Sequence, residues 1–135
     1  MLLPTTTIDL ARVYPWTGRH TFADGFGVRD AVFSSEFDNG NSGVADTIDW
    51  TAGNKQKSTL TGDCTFVFAA PLGPCNLVLK LVQDGVGTRL VTWPGTVLWA
   101  GGVAPTISVA IGAVDIVTFY FDGADYYGAG GLAFA

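Results

Sequence analysis

Short runs of β-forming residues, each closed by Gly, Pro, Asn or Asp, follow one another from about Phe33 to the C-terminus. Within 76–83, Leu77, Leu79 and Leu81 fall on one side of a period-two alternation and Lys80 on the other. Within 64–69, Phe66 and Phe68 share a side. This alternation marks half-buried strands, and two apolar-faced strands of this kind fit antiparallel pairing. Residues 114–121 are apolar on both sides, which predicts a central strand or one facing a neighbouring subunit. Its two sides are Asp115, Val117, Phe119 and Phe121, and Ile116, Thr118 and Tyr120. The second set is the candidate subunit interface.

The same grammar predicts strands over 31–36, 45–50, 56–60, 64–69, 76–83, 89–92, 96–99, 106–109, 114–121 and 126–128, with a short piece over 132–134. Turns are expected at Asp38-Asn39-Gly40-Asn41, Gly53-Asn54, Gly62-Asp63, Pro71-Leu72-Gly73-Pro74, Asp84-Gly85, Gly101-Gly102 and Asp122-Gly123, because these residues supply a positive or a fixed φ. Strands at this spacing predict an all-β domain over 33–135, an antiparallel β-sandwich of jelly-roll type. No helix or heptad is apparent. Residues 1–32 differ. Their aromatics are interrupted by breakers and keep no period, which predicts an extended N-terminal arm. Tyr14, Trp16, His20 and Phe22 are its candidate partner contacts, since such a segment orders by packing on a neighbour.

Composition changes the picture in one respect. Charged residues make up 14% of the 135 positions, against about 25% in an ordinary domain. A 14.2 kDa monomer exposes about 6,800 Å², which seven basic and twelve acidic side chains cover thinly. Burial of part of that surface against other copies is expected. Two ordinary contacts per subunit in a ring of three hide about 1,600 Å². A net charge of −5 with scattered Lys and Arg argues against a nucleic-acid partner. The N-terminus has no basic, apolar leader pattern and no run long enough to span a membrane, so a soluble protein made in the cytoplasm is expected.

Candidate chemistry is sparse. If 64–69 and 76–83 form a hairpin, Cys64 and Cys75 lie beyond disulfide reach, and both are expected as free thiols. Two thiols and the single His20 fall short of a zinc site. Asp38, Asp46, Asp63, Asp84, Asp122 and Asp125 sit where Asp organises turns. Asp115, on an apolar side, calls for a cation such as Arg89 or Lys80. The segment Asp38 to Gly43 lacks the ligand alternation of a calcium loop. Gly85-Val86-Gly87 reads as a hairpin turn, since neither the third Gly nor the helix of a dinucleotide site follows. Trp50, Trp93, Trp99, Tyr126 and Tyr127 fit a core or interface better than a sugar platform. No catalytic, cofactor or metal residue is assigned, and an enzyme is not expected.

An ordered series of short pieces carries a resemblance. It runs from Asn41-Ser42-Gly43, Ile48-Asp49-Trp50 and Gly53-Asn54-Lys55-Gln56 through Leu60-Thr61-Gly62, Gly73-Pro74-Cys75-Asn76-Leu77 and Gln83-Asp84-Gly85. It continues with Val91-Thr92-Trp93-Pro94, Trp99-Ala100-Gly101-Gly102-Val103-Ala104-Pro105-Thr106 and Ala113-Val114-Asp115-Ile116, and ends in Asp122-Gly123 and Tyr126-Tyr127-Gly128. About three quarters of the chain thus resembles a module of tailed-bacteriophage virion proteins. Gly95 and Ala100 depart from its usual pattern. The resemblance implies a trimer-forming β-sandwich with a structural role in the virion. The short arm favours a capsid decoration (cement) protein whose partner is the major capsid protein. The alternatives are a short tail fibre, a baseplate protein contacting tail proteins, or a receptor- or glycan-binding tip. Assembly in the host cytoplasm agrees with free cysteines.

Overall fold

Two β-sheets and one 3-10 turn account for the regular structure of residues 34–134, which are the residues described by a computed structural model of the chain. The arm candidates Tyr14, Trp16, His20 and Phe22 lie outside them. The strands are β1 (Phe37–Asn41), β2 (Ala45–Asp49), β3 (Lys55–Leu60), β4 (Cys64–Ala69), β5 (Cys75–Gln83), β6 (Val91–Thr92), β7 (Val97–Trp99), β8 (Val114–Phe121) and β9 (Tyr126–Phe134). The all-β class holds.

The pairing differs from the expectation of an antiparallel sandwich. One sheet runs β1-β3-β5-β8-β9-β7 and the other β2-β4-β6. Five of the seven ladders are parallel, and only β5–β8 and β8–β9 are antiparallel. From β1 to β6 the chain alternates between sheets, so each strand stacks in parallel on the one two places earlier. Residues 37–92 are therefore wound as coils. Phe37, Gln56 and Leu79 stack in register, as do Ala45 and Thr65 on the other side. The predicted hairpin of 64–69 with 76–83 does not form, because β4 and β5 lie in different sheets. Cys64 and Cys75 are nonetheless both free. Gly85-Val86-Gly87 likewise turns the chain from one sheet to the other instead of closing a hairpin.

Several boundaries move for local reasons. Residues 34–36 are irregular, and the first described strand is Phe37–Asn41, over the predicted turn. Gly40, at φ 76°, supplies the irregularity that lets Asp-Asn-Gly-Asn run as a strand with a register shift. Residues 106–109 form no strand, although Ile107 is buried. Tyr126–Phe134 is one long strand, its Gly-rich middle paired with β8.

The core lies between the sheets. Leu77, Leu79 and Leu81 of β5 and Val117, Phe119 and Phe121 of β8 meet Ile48, Cys64 and Phe66 from the smaller sheet. Phe119 is the hub, with ring centroids 5.3 Å from Phe68, 5.9 Å from Trp93 and 6.0 Å from Trp50 and Trp99. These edge-to-face contacts suit the ring quadrupoles.

Asp115 is fully buried on that inward side, and contrary to expectation no cation among the described residues pairs with it. Lys80 pairs with Glu36 and Arg89 with Asp84. Asp115 instead accepts from the Ser108 N–H at 2.6 Å, the Ser108 hydroxyl at 2.8 Å and the Ala133 N–H at 2.7 Å. Ala133, at φ 58°, sits where the β8–β9 register slips opposite Asp115. The carboxylate thereby fixes both a β-bulge and the irregular 106–109 segment.

Replacing Asp115 with Ala strands three donors and is expected to cost upwards of about 3 kcal/mol, read as a lowered urea midpoint. Asp115→Asn, which keeps one acceptor oxygen, should lose less.

Candidate functional surface

Strand alternation divides each side chain of the larger sheet between the core and the outer face. The residues with Asp115, Val117, Phe119 and Phe121 point inward, so Ile116, Thr118 and Tyr120 lie on the outer face, as the alternation predicts. Ile116 is half-buried, while Thr118 and Tyr120 are exposed. The register places Tyr120 beside Tyr127 and Thr118 beside Ala129 of β9, and Leu98 of β7 beside Tyr127. Tyr120 and Tyr127 hold their rings 6.4 Å apart. Tyr120, Tyr127 and Leu98 remain 50%, 48% and 46% exposed. Tyr127 and Leu98 are members of the surface that periodicity did not single out. Only strand pairing brings them to Tyr120.

This apolar half contrasts with the other half of the same face. There Lys57 of β3 lies beside Lys80 of β5, the first 2.6 Å from Asp38 and the second 2.7 Å from Glu36. Residues 90–134 carry no Lys or Arg at all. At the apolar end a shallow groove of about 480 Å³ is lined by Leu98, Trp99, Ala100, Tyr127, Gly128 and Ala129. Its floor depends on Gly128, since a Cβ there would stand 2.5 Å from the Trp99 ring.

The aromatic residues weighed as a sugar platform separate. Trp50 and Tyr126 are buried in the core, Trp93 and Trp99 are half-buried against it, and Tyr127 alone is exposed. Tyr127 donates its hydroxyl to Asp122 at 3.2 Å. The groove therefore offers apolar area and few free polar groups, a composition suited to protein contact.

The acids at turns are engaged locally. Asp84 takes both Nε and a terminal nitrogen of Arg89 and the N–H groups of Val86 and Gly87. Arg89 above all, then the Gly87 and Val86 amides, hold its carboxyl below the usual range. Lys57, then the Gly40 amide, lower Asp38. The Thr51 hydroxyl and amide lower Asp49. The Asp125 and Ala124 amides and the Tyr127 hydroxyl lower Asp122. Asp63 accepts from the Leu90 N–H and Asp46 from the Ser58 hydroxyl. Burial pushes the Cys64 and Cys75 thiols up. Among the described residues no three His, Cys, Asp or Glu gather as a metal site, and no helix is long and apolar enough to cross a membrane.

Two outcomes follow from this geometry. Gly128→Ala should cost about 1–3 kcal/mol through overpacking and shift the Trp99 environment in near-UV circular dichroism. The four lowered carboxyls stabilise the fold fully above their unfolded pKa, near 4, and lose that contribution as pH falls through their lower folded values. The melting temperature should therefore stay level down to about pH 5 and drop below about pH 4, with Asp84→Asn giving a shallower acid drop.

No family model matches the chain, and no curated protein or solved structure matches it.

Proposed function

We propose that this chain is a structural protein of a tailed-bacteriophage virion, a trimeric capsid decoration protein that cements the head. The observation that carries this reading is the contiguous apolar area of β8, β9 and β7, where Tyr120, Tyr127 and Leu98 are exposed on strands that contain no Lys or Arg. Apolar patches of this kind mark protein contact sites, and cyclic homo-oligomers are the usual way to cover them. The ordered sequence pieces resembling the virion module support the same reading.

In this proposal the β domain, a two-layered building block of the sandwich-like kind the resemblance implies, associates through Ile116, Thr118 and Tyr120. The arm, with Tyr14, Trp16, His20 and Phe22, contacts the major capsid protein. Three arms on one trimer multiply a weak single contact by avidity. The role needs no cofactor and no catalysis, and the acids engaged at turns suit it.

Light scattering should give about three times the 14.2 kDa protomer mass. Tyr120→Glu combined with Ile116→Glu should yield a folded monomer. A wild-type monomer at micromolar concentration overturns the trimer. Particles lacking the protein should break at lower temperature and recover on its addition. Gold label confined to the tail would move the assignment to a tail fibre or baseplate.

A further inference from the structure

We propose that Asn39–Gly40, inside β1, is a spontaneous modification site that the fold holds back and whose product releases β1. The sequence contains one Asn-Gly pair. Glycine has no Cβ to hinder its nitrogen, so the Gly40 nitrogen can attack Asn39 Cγ. A nitrogen–carbon bond forms, the Cγ–Nδ2 bond breaks, and ammonia leaves with the proton from Gly40. Water then opens the cyclic imide to aspartate, or to its isomer with the backbone routed through Cβ. Nothing is oxidised or reduced.

Both reacting groups are tied down in the fold. The Gly40 N–H donates to Asp38 Oδ1 at 2.9 Å. The leaving amide, Asn39 Nδ2, donates to Gln56 Oε1 at 2.9 Å and to the Lys57 carbonyl at 3.1 Å. Gln56 is buried and cannot swing away, because its own Nε2 donates to the carbonyls of Asp49 at 2.6 Å and Gly53 at 2.9 Å. These two carbonyls also fix which end of the amide faces Asn39. Attack therefore requires β1 to part from β3.

That parting is open to β1. Among the described residues it is the edge strand of its sheet, Gly40 is exposed, and nothing stands within 4 Å of where a Gly40 Cβ would be. Edge segments with few buried contacts open at a small fraction of the global unfolding free energy. The product does not return. A carboxylate at position 39 aims acceptors at two acceptors, Gln56 Oε1 and the Lys57 carbonyl, and the isomer adds a backbone atom that breaks register with β3. β1 is the first described strand, so its release frees residues 37–41 from the sheet. This step is covalent, one-way and set by time, and it holds independently of the virion reading.

The test is peptide mapping by mass spectrometry of the full chain during incubation in mildly alkaline buffer. Conversion at Asn39 is expected to be at least about tenfold slower in the folded chain than in the unfolded chain. It should accelerate in urea below the unfolding transition and accelerate again in Asp38→Ala, which removes the acceptor of the Gly40 N–H. Asn39→Asp should lower the melting temperature and render residues 34–41 sensitive to protease. Equal rates in folded and unfolded chains, or a folded rate indifferent to sub-denaturing urea, overturn the protection. An Asn39→Asp chain with wild-type melting and protease resistance overturns the release.

Discussion

The Phe119 ring, set edge-on among Phe68, Trp50, Trp93 and Trp99, joins two sheets that share no backbone ladder. Everything else in the fold is arranged around keeping that cluster dry. β5 and β8 supply its wall through the longest antiparallel ladder, from Cys75–Phe121 to Val82–Val114. Tyr126 extends the cluster to β9, with its centroid 5.2 Å from Phe68 and 4.6 Å from Phe121. Trp99 reaches the same cluster only because Gly128 leaves its place empty. One glycine on β9 thus sets both the inner packing and the floor of the outer groove.

The opposite end of the interior is held differently. Around β1 and β3 the inward polar residues are Asn39, Gln56 and Ser58, with aromatic rings absent from their hydrogen-bond network. Gln83 plays the same part at the end of β5, donating to the Arg89 carbonyl and accepting from its N–H. Asn39, Gln56 and Gln83 satisfy backbone groups that coiling leaves without ladder partners, while Ser58 donates to the Asp46 carboxylate.

How much of this was legible from residues alone follows from what period two encodes. It reports which side of a strand is apolar, so the bounds of β4 and β8 and the grouping of Ile116, Thr118 and Tyr120 were readable. It does not report the partner strand. Runs that look like successive hairpins here alternate between sheets, and Phe66 and Phe68 read the same in either arrangement. Asp38-Asn39-Gly40-Asn41 has turn composition and was read as one, because the tertiary bonds to Gln56 and Lys57 that make it a strand lie 17 and 18 residues away. Asp115 suggested a cation by its chemistry. Its donors are a serine seven residues back and a backbone amide eighteen ahead, and a bulge amide leaves no mark in sequence.

The sheet edges bear on how copies of the chain would meet. β1 is interrupted by Gly40 and carries Asp38, β2 carries Asp46 and Asp49, and β6 and β7 are two and three residues long. Each is a recognised way to discourage strand addition. β9 beyond Gly128, where β7 stops, has neither charge nor proline and is exposed, and its devices are Gly130, Gly131 and the bulge at Ala133, whose N–H is taken by Asp115. That stretch adjoins Tyr127 and the Trp99 groove, so a neighbouring copy seated on Tyr120 would shield it as well. The proposed trimer thus covers the exposed rings and the exposed Ala129–Phe134 stretch by a single contact.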